Sequence, residues 1–432
     1  MLILPLIASR LIEVSIGAID TVMVASISED AVSGVALVDT INNLVLLVIS
    51  ALAVGGATVL SQYQGRGSGN TNTAARQLLY IIVLITVLLA ALFVLFRSQI
   101  LAILFGDIEQ SVMEYSGIYF LVTSLSLPFA GVMHSLAAIY LSAGNSKVPL
   151  LASVLMFALN LAGNALLIYG LGLGVAGAAL GTMCSRMAAA LMLLYLIRSH
   201  RNAIRVYPIF TRELHPQMIK RILRIGVPTG LENGFFQMGK LLVQSLISTF
   251  GTATIAANAI VNQALNFVMV PGMAISLGII PVVGRCIGAG EHKQAAANVK
   301  LLMRSVYAAT VILTLPLFLW CSQIFHIFRL GEETFNLCIL LLRIATPFML
   351  AIWPVAFPFS NVLRASGDVT YTMTVSMASM WVMRFGMSYA LHAFFGLGIL
   401  GVWYAMMGDW IVRGVLFFAR YRSGKWRGKQ VI

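Results

Sequence analysis

Polar punctuation cuts this chain into apolar runs of about 20 residues, repeated from one end to the other. A run of that length crosses the roughly 30 Å hydrocarbon core of a bilayer as a helix. In lipid a backbone must satisfy its own hydrogen bonds, so each run is read as a helix. The alternation of a transmembrane barrel, apolar outward and polar inward, is absent. The pattern predicts twelve spans, near 2–26, 31–55, 77–97, 113–140, 149–169, 175–198, 224–249, 255–280, 300–321, 335–359, 371–394 and 399–420. The longest polar interruption, 199–223, is basic and carries Pro208 and Pro216. It sets the expected domains: an N-terminal six-helix lobe over 1–198, a cytoplasmic linker over 199–223, a C-terminal six-helix lobe over 224–420 and a basic tail over 421–432. Residues 213–224 are expected to form an interfacial helix along the inner leaflet.

Composition agrees with the pattern. Of 432 residues, 59% are hydrophobic and only 10% charged, with a mean hydropathy of +0.92. A soluble chain has about a quarter of its residues charged. The net charge of +13 invites a nucleic-acid reading, but the basic residues sit in alternate loops rather than on one face. They include Arg66 and Arg76; Lys147; Arg198, Arg201, Arg205, Arg212, Lys220, Arg221 and Arg224; Arg285, Lys293, Lys300 and Arg304; then Arg420, Arg422, Lys425, Arg427 and Lys429. The intervening loops are bare or acidic. The positive-inside rule then places both termini at the cytoplasmic face of a plasma (inner) membrane, and no nucleic-acid partner is expected. Cys184, Cys286, Cys321 and Cys338 lack metal or redox spacing and are expected to be buried packing residues. The first run carries Arg10, Glu13 and Asp20 without a basic n-region, so it reads as a span rather than a cleavable signal.

An internal repeat organises the spans. Pro5 pairs with Pro228 (228 − 5 = 223), Gly65 and Gly67 pair with Gly288 and Gly290 at the same offset, and Gly144 pairs with Gly367 (367 − 144 = 223). Gly172, Gly174 and Gly177 pair with Gly396, Gly398 and Gly401 at 224, one insertion later. An even number of spans separates the halves, so they are parallel repeats about an axis along the membrane normal, as in transporters with alternating access. The expected fold is an all-α polytopic membrane protein of twelve transmembrane helices in two pseudo-symmetric six-helix bundles.

These segments, in this order, resemble the multidrug and toxic compound extrusion family. The likeness runs through Pro5 with 19–24 (IDTVMV), 61–65 (SQYQG), Asn160 and Asn164, 174–179 (GVAGAA), 226–228 (GVP), 255–258 (IAAN) and 284–290 (GRCIGAG). The resemblance implies two lobes around a central cavity that opens alternately inward and outward. It implies export of amphipathic, mostly cationic small molecules in exchange for Na+ or H+. No other cofactor and no enzyme activity are expected, and the chain is expected to work as a monomer in the lipid bilayer. A lipid-linked sugar flippase of the same wider superfamily is the alternative; it needs a basic groove for pyrophosphate. A membrane-embedded enzyme lacks clustered nucleophiles or metal ligands. The glycine pattern at 172–177 joins two apolar helices, not a strand and a helix, and is no dinucleotide site.

Ionisable residues deep in a span cost about 2.5–3.5 kcal/mol on insertion scales and call for a reason. Asp20 lies six residues, about 9 Å, below the outer end of its predicted helix. Asn164 lies at similar depth, and Asn160 shares its helix face at i, i+4. Thr182 falls about 11 Å below the outer end of the sixth span. A carboxylate, two amides and a hydroxyl form a hard-oxygen set suited to Na+, or to a proton on Asp20. In sodium-coupled members of the resembled family the matching positions are Asp, Asn, Asp and Thr; here Asn164 replaces the second acid. The second half places Lys240, Arg384 and Asp409 about 13–15 Å deep. They are expected to form a buried polar network, with Arg384 paired to Asp409. Glu232 and Gln237 are weaker candidates, and Glu13 and Asp39 are expected to face the inner cavity or cytoplasmic water.

Overall fold

The computed structural model describes residues 3–106, 108–199, 202–208, 213–328 and 330–432. Arg201 and Arg212 of the basic linker lie outside them. Every described regular element is a helix.

In the first half these are α1 (Ile3–Ala25), α2 (Glu29–Gly65), α3 (Thr71–Leu95), α4 (Arg97–Phe105), α5 (Gln110–Ser142), α6 (Lys147–Asn164) and α7 (Gly174–Leu196). A π-helical turn, Ala165–Gly170, extends α6. Next come α8 (Pro216–Ile247), α9 (Thr252–Gly288), α10 (His292–Leu319), α11 (Cys321–His326), α12 (Glu332–Ala351), α13 (Trp353–Ala356) and α14 (Ser360–Ser366). The chain ends with α15 (Val369–Ser379), a π-helical Met380–Gly386, α16 (Met387–Phe395) and α17 (Gly398–Arg422).

All twelve expected spans are helical, with three departures. Residues 213–224 do not form a separate interfacial helix, because α8 begins at Pro216 and continues unbroken to Ile247. The expected span 335–359 is interrupted between α12 and α13. Short α4 and α11 follow the third helix of each half where the sequence pattern shows no separate element.

Nine helices among the described residues are long and apolar enough to cross a membrane. The three expected spans outside that set are instructive. Helix α1 carries Arg10, Glu13 and Asp20, α8 carries Glu232 and Lys240, and the 369–395 segment is broken by the π-helical turn around Arg384. Hydropathy fades in the helices that carry Asp20, Lys240 and Arg384.

Backbone contacts divide the chain into Met1–Gly230 and Leu231–Ile432, with the boundary inside α8. The first turns of α8 belong to the first unit. Gly226 there meets Leu52 of α2 so closely that a Cβ would clash with the backbone, the small-residue contact by which helices associate in lipid. Arg221 bonds the Tyr63 hydroxyl, and the Gln77 side chain ties down the Glu213 carbonyl and the His215 N–H at 2.9 and 3.3 Å. In the second unit the basic tail is anchored: Trp426 is buried and Gln430 donates to the Ile287 carbonyl at 2.8 Å.

The repeat is visible in the backbone. Helices α2 and α9 each have 37 residues and start and end 223 apart. Helix α3 ends at Leu95 and α10 at Leu319, a difference of 224, and each is followed by its short helix. Gly67, Gly144, Gly172 and Gly174 have positive φ, as do Gly290, Gly367, Gly396 and Gly398. A side chain in that region costs about 1–2 kcal/mol, so the turns retain glycine in both copies.

Candidate functional site

In the first unit the four sequence-selected residues come together. Asp20, near the C-terminal end of α1, is half-buried, while Asn160, Asn164 and Thr182 are buried. The Asn164 Nδ2 donates to Asp20 Oδ1 at 2.6 Å. Asn160 donates to Thr182 Oγ1 at 3.3 Å and also hydrogen-bonds the Asp20 carboxylate. Helical spacing explains the arrangement: Asn160 and Asn164 sit one turn apart on α6, so one amide reaches α7 and the other α1. The Asn164 Oδ1 is buried without a hydrogen-bond partner. It rests against Gly181 of α7, where a Cβ would collide with it. An unused buried acceptor beside a carboxylate is costly unless something else uses it.

Two charged neighbours complete this interior. Asp39 of α2 takes hydrogen bonds from Asn42 and Tyr119. Arg186, in the middle of α7, donates to Ser126 Oγ of α5 at 2.8 Å and interacts electrostatically with both Asp20 and Asp39. Two carboxylates thus share one guanidinium. The depth argument that selects Lys240, Arg384 and Asp409 in the second half applies equally to Arg186, whose position twelve residues before Arg198 in an otherwise apolar run is the available signal. Glu13 pairs locally with Arg10 at 2.7 Å on an exposed face.

The second unit reverses the balance. Asp409 of α17 is fully buried, and its main partner is Arg413, one helical turn on, at 2.7 Å. The expected Arg384 partner stands farther away at 3.9 Å. An i, i+4 neighbour on the same helix is positioned by the backbone, whereas Arg384 must reach from a π-helical turn on another segment. Ser379 adds a hydroxyl donor to Asp409 at 2.6 Å. The Phe236 ring lies under both guanidinium groups, at 5.5 Å from Arg384 and 5.0 Å from Arg413.

Glu232 is not part of this cluster; it pairs with Arg364 at 2.7 Å and fastens α8 to α14. Gln237 is half-buried on α8, and among the described residues neither it nor Lys240 has a hydrogen-bond or ion-pair partner. Lys240 and Arg384 instead line one cavity of about 220 Å3. Cys286, Cys321 and Cys338 are buried as expected, but Cys184 is exposed on α7, because its helix turns its small-residue face inward instead.

Comparison with known proteins follows the same two-fold pattern. The sequence matches the MatE family over residues 5–166 and again over 228–390, with starts 223 apart. It is 26% identical over 439 residues to the "Uncharacterized transporter YisQ" of Bacillus subtilis, covering 96% of this chain and 92% of that protein. It is 26% identical over 442 residues to the "Probable multidrug resistance protein NorM" of Thermotoga maritima, covering 100% and 93%. The fold is similar to a solved structure of a MATE protein in the bent conformation, with a TM-score of 0.91, 19% identity and coverage of 98% and 94%. With both halves matched and the likeness running the length of the chain, this multi-pass membrane protein belongs to the MATE family of multidrug efflux transporters.

Proposed function

We propose that this transporter exports amphipathic, mostly cationic compounds in exchange for Na+ or H+ by alternating access, with Asp20, Asn160, Asn164 and Thr182 as the coupling site. Both termini face the cytoplasm in this reading, and the protein works as a monomer. The observation that carries it is the Asp20–Asn164 bond beside the unpartnered Asn164 Oδ1. A carboxamide can donate through nitrogen to a bare carboxylate. Turned over, it can accept a hydrogen bond from protonated Asp20 or coordinate Na+ through oxygen. One side chain therefore serves both states of the site, which an aspartate at 164 could not do. Arg186 lowers the net negative charge without contacting Asp20 directly.

Ion entry from outside would neutralise Asp20, turn the Asn164 amide and favour the inward-opening state, so that drug binding and ion binding alternate. Reconstituted protein exporting ethidium under separately imposed Na+ and pH gradients tests the reading. Asp20→Asn should abolish gradient-driven efflux while leaving the protein folded. Ethidium export by that variant at the wild-type rate under both gradients overturns it.

A further inference from the structure

The cavity in the second unit occupies the repeat position of the coupling site in the first. At offset 223 Asp20 corresponds to Val243, and at 224 Asn160 corresponds to Arg384 and Thr182 to Met406. Val243, Arg384 and Met406 all line the cavity of about 220 Å3. The same place in the fold has thus exchanged a carboxylate for an apolar side chain and an amide for a guanidinium.

The cavity lacks an anionic partner. Arg384 and Arg413 share one carboxylate, Asp409, which is itself bonded to Arg413, and Lys240, without an ion-pair partner among the described residues, lines the cavity beside Arg384. The cluster carries a surplus of two positive charges, and no acid lines the cavity. Phe236 offsets some of this, but a cation–π contact contributes about 0.5–2 kcal/mol. Arg384 stands 3.9 Å from a carboxylate already bonded to Arg413, and holding a poorly paired charge in a protein interior costs several kcal/mol, so the ring is not enough. Further donors wait nearby. Asn258 is already occupied by Trp403, Asn262 and Gln244, whereas among the described residues the amide nitrogens of Gln244 and Asn266 have no protein partner. Trp403, Met406 and Val243 supply an apolar wall.

We infer that this cavity is an anion-binding site, taking the carboxylate or phosphate head of an amphipathic compound between Lys240 and Arg384. Drug-sized sites usually enclose about 300–1,000 Å3, so this one holds a head group or a single fused ring rather than a whole drug. Anion binding here is independent of the exporter reading, since it requires neither the cation site nor transport.

The probe is 1-naphthoate, with neutral 1-naphthylmethanol as its control, bound to the full-length protein in phosphatidylcholine nanodiscs and followed by tryptophan fluorescence. Wild-type protein should prefer the anion by about tenfold or more, the range of a charge-assisted hydrogen bond. Lys240→Gln should remove that preference and Lys240→Arg should retain it; Lys240 is exposed, so neither change threatens folding. Replacing part of the lipid with phosphatidylglycerol separates the sources. Displacement of naphthoate assigns the site to a lipid head group, and undiminished binding assigns it to a soluble anion. Equal affinity for the two probes, or an unchanged preference in Lys240→Gln, overturns the inference. Ethidium efflux from the same preparation tests the exporter reading separately.

Discussion

The two halves of this transporter share turns, helix lengths and register, yet their interiors carry opposite charge. In the first, Asp20 and Asp39 divide the field of a single Arg186. In the second, Arg384 and Arg413 converge on a single Asp409, with Lys240 beside them. The other buried acids of the second unit, Glu232 and Asp368, are each matched by their own arginine, Arg364 and Arg420, at 2.7 Å. The imbalance is therefore local to the one position that the repeat duplicates. The π-helical turns tell the same story: one follows Asn164, whereas the other encloses Arg384, and their starts differ by 380 − 165 = 215 rather than 224. Turns are held by backbone geometry that both copies need. Interior side chains answer to charge balance, and there the copies have diverged.

The largest test of that contrast is stability. Asp409→Asn leaves Arg413 and Arg384 without their carboxylate and should cost about 3–5 kcal/mol, as breaking a buried pair does. Asp20→Asn relieves a surplus of negative charge and should leave the unfolding temperature in detergent unchanged or higher. Equal losses in the two variants would break the comparison.

Next is Gly181→Ala. A methyl group there collides with Asn164 Oδ1, so the carboxamide must swing away from Asp20. Its oxygen is then lost to the incoming ion, an interaction of the size of a hydrogen bond to a charged group, about 1.5–3 kcal/mol, which is roughly 10-fold to 150-fold in ion affinity. The ion concentration for half-maximal ethidium efflux should rise accordingly. At the corresponding Ala405 of the second half, a change to Gly should leave ion dependence untouched.

Much of this was legible in the chain. The spans follow from apolar run length, and the repeat follows from glycines whose positive φ no other residue tolerates cheaply. Asp20, Asn160, Asn164 and Thr182 were selected by depth and helical spacing, and their juxtaposition needs only α1, α6 and α7 to be neighbours. Arg413 is equally legible through its i, i+4 spacing to Asp409, whereas depth alone points to Arg384. The bonds from Arg186 to Ser126 and from Tyr119 to Asp39 depend on how α2, α5 and α7 pack, which local pattern does not encode. The π-helical turns leave no mark in composition, because their residues are as apolar as those of the α-helices they interrupt.

Asn164→Asp sharpens the contrast by making the first interior more negative still. A second carboxylate should strengthen Na+ binding by about tenfold, or about 1.4 kcal/mol, read as a lower Na+ requirement in proteoliposomes. An unchanged requirement would place Asn164 outside the ion's coordination.

The smallest effect asks whether the scaffold is as evenly duplicated as the chemistry is not. Gly172 and Gly396 correspond at offset 224, have φ of 65° and 62°, and each has open space where a Cβ would stand. Only the backbone cost remains when either becomes alanine, about 1 kcal/mol. The two variants should lower unfolding stability by equal amounts, without altering ion dependence or naphthoate binding. A marked difference between them would show that the turns, too, have been recruited to one lobe's function, and the division between shared backbone and divergent interior would fail at its simplest point.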